Sequence, residues 1–159
     1  MAWFTTGSGS LMTRTIVLVA FLLLSSFTFV DDPKANSNPN VGVWTHVSRA
    51  TFKPGDTGEI TITIAPAEGY HVNANPPVEF GLDAPKTIML KGVLSQVTDK
   101  NNGYLSTRSP LRQTFYVPST VKPGAHTLKG MVTYFYCSDV EGWCQRFRQP
   151  IALSFTVAQ

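Results

Sequence analysis

Glu59-Ile60-Thr61-Ile62-Thr63-Ile64-Ala65 places three isoleucines on one face of an extended chain and two threonines on the other. That period of two marks a strand with one buried side. The C-terminus repeats it, with Ile151, Leu153, Phe155 and Val157 set against Ala152, Ser154 and Thr156. Working outward, further strands are expected over Val43–Thr51, Tyr70–Ala74, Thr87–Leu90, Arg112–Val117 and the long run His126–Cys137. Turn chemistry separates them: Pro54-Gly55-Asp56, Pro66 to Gly69, Pro76-Pro77, Asn101-Asn102-Gly103 and Lys122-Pro123-Gly124. Beyond the N-terminal segment no stretch keeps a helical apolar period. Seven or eight short strands with long loops, such as 82–86 and 98–110, point to an all-β, immunoglobulin-like β-sandwich over residues 41–159 rather than a barrel.

Composition agrees with one compact domain. The 159 residues are 43% apolar and 14% charged, which supports a packed core and excludes a disordered chain. The formal charge is +3, and the cations are scattered except for the loose pair Arg146 and Arg148. That distribution gives no footprint for nucleic acid. Residues 1–30 read as an export segment: Arg14 precedes Thr15–Val30 (TIVLVAFLLLSSFTFV), and Asp31, Asp32 and Pro33 follow. The run is short for a spanning helix, yet no clean small-residue cleavage site follows it, so signal peptide and N-terminal membrane anchor are both open. Met12 offers a more usual short n-region than Met1. Residues 31–40 (DDPKANSNPN) read as a flexible linker. The expected location is therefore the periplasm or cell envelope.

Cys137 and Cys144 are the only cysteines, and in an exported chain they are expected to pair with each other. Six residues, Ser138 to Trp143, separate them, with a turn at Asp139-Val140-Glu141-Gly142. A hairpin end can bring two opposed Cα atoms close enough for the bond. Closing so short a loop contributes only about 2.5 kcal/mol by chain entropy. Tyr134, Phe135, Tyr136 and Trp143 lie nearby in sequence, a potential aromatic wall and docking surface. The residues alone leave a structural staple and a redox site both open. A metal site joining the cysteines to His46, His71 or His126 is a third reading, but no histidine stands at recognisable ligand spacing, so no metal is expected. Nor do the residues assemble a Ser/His/Asp triad, a phosphate-binding glycine loop or paired carboxylates.

Three elements resemble a known family. Gly69-Tyr70-His71-Val72-Asn73-Ala74-Asn75-Pro76-Pro77, the hairpin Tyr134-Phe135-Tyr136-Cys137 with Gly142-Trp143-Cys144, and the closing strand are similar to the N-terminal periplasmic domain of the DsbD thiol:disulfide interchange proteins. The resemblance implies an immunoglobulin-like domain that relays electrons by dithiol–disulfide exchange, a component of a protein-disulfide reductase. It implies that a separate membrane thiol reductase reduces the pair. The acceptors would be thioredoxin-fold periplasmic proteins, including those of cytochrome c biogenesis. Cys144 would form the intermolecular bond and Cys137 would resolve it. Tyr104, within 98–110, matches the aromatic cap of the family, and Tyr70, His71, Tyr136 and Trp143 match the pocket around the pair. This chain departs from the pattern by one extra residue between the cysteines and by Asn101, Asn102 and Gly103 where the family cap is acidic. The membrane and C-terminal CxxC parts of the family are not within these residues, so a stand-alone version is expected. The competing expectation is a non-catalytic binding or assembly module of the cell envelope, with the disulfide as a staple.

Overall fold

The structure is a computed structural model that describes residues 37–83 and 87–159. The expected export segment and most of the linker lie outside the described residues. Nine strands and no helix make up the described part: β1 Val41–Val47, β2 Thr51–Phe52, β3 Thr57–Pro66, β4 Tyr70–Val72, β5 Glu79–Leu82, β6 Met89–Ser95, β7 Leu111–Tyr116, β8 Gly124–Ser138 and β9 Cys144–Val157. They form two sheets. One has the order β1-β3-β7-β6, and the other runs β2-β9-β8-β4 with β5 also paired to β8. This is the immunoglobulin-like sandwich that the alternating patterns require.

The isoleucine stripe fills the space between the sheets. Ile60 and Ile62 are fully buried and Ile64 nearly so, while Thr63 between them stays exposed. Each isoleucine removed from water contributes roughly 1.5–3 kcal/mol, and a one-residue slip would turn all three outward. From the facing sheet come Leu128, Val132, Tyr134, Leu153 and Phe155. The sheets meet through aromatic edges: Phe115 on β7 lies 5.1 Å from Phe52 and 6.3 Å from Phe155, centroid to centroid. Gly58 on β3 is where these rings approach the backbone. A Cβ there would stand 2.4 Å from both Phe115 and Phe52.

The long β8–β9 hairpin dominates the second sheet. Its register is unbroken from Gly124↔Val157 to Cys137↔Cys144. The sequence suggested a short return strand after Cys144 and a separate one from Ile151; they are one strand, despite Pro150. Proline is tolerated because Pro150 faces Met131 in a non-hydrogen-bonded pair, so no N–H is required toward β8. The expected strand Val43–Thr51 divides at Ser48-Arg49-Ala50, where the chain leaves one sheet for the other. Phe52 then pairs in parallel with Val157.

Candidate functional site

Cys137 and Cys144 are the last register pair of the β8–β9 hairpin, and they are joined by a disulfide with Cα atoms 4.0 Å apart. The next step is hydrogen-bonded, Ser138 N–H donating to Trp143 C=O at 2.9 Å. The cysteines therefore occupy a non-hydrogen-bonded site, where opposed Cα atoms approach most closely. The turn beyond is held by its own sequence. Gly142 takes the left-handed φ of +69° that its position requires. Its N–H donates to Ser138 C=O at 3.0 Å, and the Glu141 N–H donates to Ser138 Oγ at 3.1 Å.

The pleat decides what surrounds the sulfurs. Buried Gln149, Ile151, Leu153, Phe155 and Val157 face the core, so Cys144 and Arg146, at the intervening positions of β9, face outward. On β8, Cys137 points outward with Phe135, and Tyr134 and Tyr136 point inward. Of the aromatic wall expected beside the sulfurs, only Phe135 shares their face; Tyr134, Tyr136 and Trp143, with Tyr70 named from the resemblance, do not. The register turns them to the opposite face instead, because each sits one residue from an outward position. There Tyr136 belongs to the core and Tyr70 and Trp143 pack against it. Trp143 is 5.5 Å from Tyr136 and 6.1 Å from Tyr70, centroid to centroid. These rings support the hairpin end from beneath.

The outer face carries a different set. β4 pairs with the end of β8 so that His71 lies opposite Cys137, giving a row across the sheet: Cys144, Cys137, His71. Asp139 from the turn accepts a hydrogen bond from His71 Nδ1 at 2.5 Å. Tyr104 lies flat on the His71 ring, centroids 3.6 Å apart and planes within 8°. Asn73, just beyond the end of β4 and two residues on from His71, directs its side-chain Nδ2 at Cys137 Sγ, 3.3 Å away. Asn73 and Asp139 were not singled out in the sequence. Alternation alone puts 71 and 73 on one face, but which strand they lie beside is a long-range pairing that composition cannot show.

The segment expected as a cap is a tight turn fastened to β4. Asn73 and Tyr104 form a bridge, as do Thr98 and Leu105. Leu105 N–H donates to Val72 C=O at 2.8 Å. Asn101 and Asn102 serve this turn: the Tyr104 N–H donates to Asn102 Oδ1 at 3.0 Å, and the Asn101 N–H to Asp99 Oδ1 at 2.9 Å. An open cleft of about 260 Å³ runs between this segment and β4, bordered by Tyr70, His71, Tyr104 and Arg108.

The two cysteines differ sharply in exposure. Cys137 is 3% exposed, whereas Cys144 is open to solvent. The bond thus joins an exposed residue to a covered one, and Cys144 is the side open to an incoming thiolate. Among the described residues, no group of three or more His, Cys, Asp or Glu is placed to hold a metal.

Fold and site together define an immunoglobulin-like β-sandwich that presents a disulfide on the outer face of one sheet. No protein-family model matches the chain, and no curated protein matches it. Among solved structures the chain is similar to the N-terminal domain of DsbD from Neisseria meningitidis in the reduced form. The two share 17% identity over 80% of this chain and 89% of that one, with a TM-score of 0.32. This is the family that the cysteine hairpin resembles in sequence.

Proposed function

We propose that this chain is a thiol–disulfide interchange domain that passes electrons through the Cys137/Cys144 pair to thioredoxin-fold partners. The observation that carries the reading is the asymmetry of the bond: both cysteines lie on the outer face of the sheet, Cys144 as an exposed residue and Cys137 as a covered one, 3% exposed. A staple that holds the sandwich together would join distant strands through the core; this one joins neighbours already paired along their length.

The chemistry needs no cofactor. A donor thiolate attacks Cys144 Sγ, the Cys137–Cys144 bond breaks, and its electron pair leaves on Cys137 Sγ. The donor's second thiolate then attacks its own sulfur in the mixed disulfide and releases Cys144. The donor is now oxidised, and the domain holds two thiols after taking up two protons. Run in the opposite direction against an oxidised acceptor, Cys144 attacks and Cys137 resolves. The reading includes export to the periplasm or cell envelope and a separate membrane thiol reductase as donor.

Single-cysteine variants test it. A thioredoxin-fold protein keeping only its first active-site cysteine, activated with a thionitrobenzoate group, would be offered to Cys137→Ser and to Cys144→Ser. Cys137→Ser should form the mixed disulfide through Cys144 at least roughly tenfold faster, since exchange follows access to the thiolate. Equal rates, or no adduct with either variant, would overturn the reading and leave a binding module with a structural bond.

A further inference from the structure

We infer that Asn73 is a catalytic residue of the exchange: its side-chain amide stabilises the thiolate that forms on Cys137 when the disulfide is attacked. The inference rests on the exchange reading above and adds a role for a residue outside the cysteine pair.

When a thiolate bonds to Sγ of the exposed residue Cys144, the leaving electron pair and its negative charge collect on Cys137 Sγ. That sulfur belongs to a residue only 3% exposed, so water cannot solvate the new charge well. A buried thiolate without a donor is disfavoured, and exchange slows as the leaving thiol becomes harder to ionise. Asn73 Nδ2 is 3.3 Å from this sulfur. A disulfide sulfur is a weak acceptor and a thiolate is a strong one. The contact therefore strengthens as charge develops, which is the condition for accelerating a step rather than merely stabilising its ground state.

The amide is held in place before the reaction begins. The Asn73 N–H donates to Phe135 C=O at 2.9 Å, and the residue bridges to Tyr104 on its other side. His71, the other polar neighbour on this face, has Nδ1 committed to Asp139 and its ring covered by Tyr104. Of the two side chains, Asn73 is the one with a donor directed at the sulfur. In the return step the same contact favours Cys137 as a thiolate, the form that resolves a mixed disulfide on Cys144.

The test is the rate at which dithiothreitol reduces the oxidised chain, for the parent, Asn73→Ala and Asn73→Asp. Asn73→Asp keeps the shape but replaces the donor with an anionic acceptor, so it remains informative if Asn73→Ala fails to fold. Asn73→Ala should react roughly tenfold more slowly at neutral pH, the worth of one hydrogen bond to a charged group, and Asn73→Asp more slowly still. The Cys137 thiol, titrated in a Cys144→Ser background, should ionise at higher pH in both variants, a change that a merely structural role would not produce. Unchanged reduction rates together with an unchanged Cys137 titration would overturn the inference. The outcome is separable from the relay reading. A parent potential in the range of structural disulfides would sink the relay while leaving an Asn73 effect on rate intact. A high parent potential with no Asn73 effect would do the reverse.

Discussion

Reducing the Cys137–Cys144 bond should weaken the sandwich without unfolding it. The bond closes a loop with a sequence separation of 7, for which chain entropy gives at most about 2.5 kcal/mol. Other contacts hold the same loop. Ser138 and Trp143 are hydrogen-bonded across it, and the Asp139 N–H donates to Gly69 C=O at 2.8 Å. The register of β8 and β9 continues to the far end of both strands. For a domain of this size, each kcal/mol moves the melting temperature by roughly 3–5 °C, so full reduction should lower it by no more than about 12 °C. The measurement is a pair of circular dichroism melts, oxidised and reduced with a phosphine, with Cys137→Ala/Cys144→Ala as a third sample. A fall beyond about 20 °C, or loss of the β spectrum at 25 °C on reduction, would refute the reasoning. It would mean that the bond carries the fold.

Three further outcomes follow from individual residues. Burial raises the Tyr134 hydroxyl from its ordinary 10.0 to about 12. The unfolded chain therefore loses that proton before the folded one does. Stability should hold below pH 10 and fall by on the order of 2 kcal/mol as pH rises toward 12, a loss that Tyr134→Phe should remove in urea titrations against pH. Gly58→Ala would drive a Cβ to within 2.4 Å of Phe52 and Phe115, and overpacking of this kind costs about 1–3 kcal/mol in urea titrations. Tyr104→Ala removes the ring stacked on His71; amides that fasten the cap, such as that of Leu105, should then exchange with deuterium several-fold faster than in the parent, with those of β3 unchanged. Equal protection in the variant and the parent would contradict a cap anchored by that stack.

The outline of the sandwich was legible because its longest strands are half-buried. Ile60, Ile62 and Ile64, and Ile151 through Val157, state their faces in a period of two, and the structure buries those positions. Glu79–Leu82 escaped notice because four residues carry too little alternation to be read alone. It becomes a strand through its pairing with Gly130–Thr133. The disulfide was legible from count, yet its surroundings were not. Aromatic residues adjacent in sequence to the cysteines were grouped with them, whereas adjacent residues on a strand face opposite sides. Tyr136 and Trp143 consequently support the hairpin from the core side, and the outer face is supplied by β4 and the cap turn. His71 and Tyr104 were named from the resemblance, and the structure stacks them on each other. Asn73 and Asp139 reach the site only through the β4–β8 pairing and the turn, contacts that no local pattern encodes.

The most direct measurement is the reduction potential of the Cys137–Cys144 pair, obtained by equilibrating the folded domain in graded thiol buffers and reading the alkylation mass shift. Structural disulfides of exported proteins lie below about −300 mV, and exchangeable ones lie above it. A working dithiol with Cys144 as its open sulfur should equilibrate readily, at a potential well above that boundary. A potential below it, reached only after prolonged incubation, would contradict the proposed role.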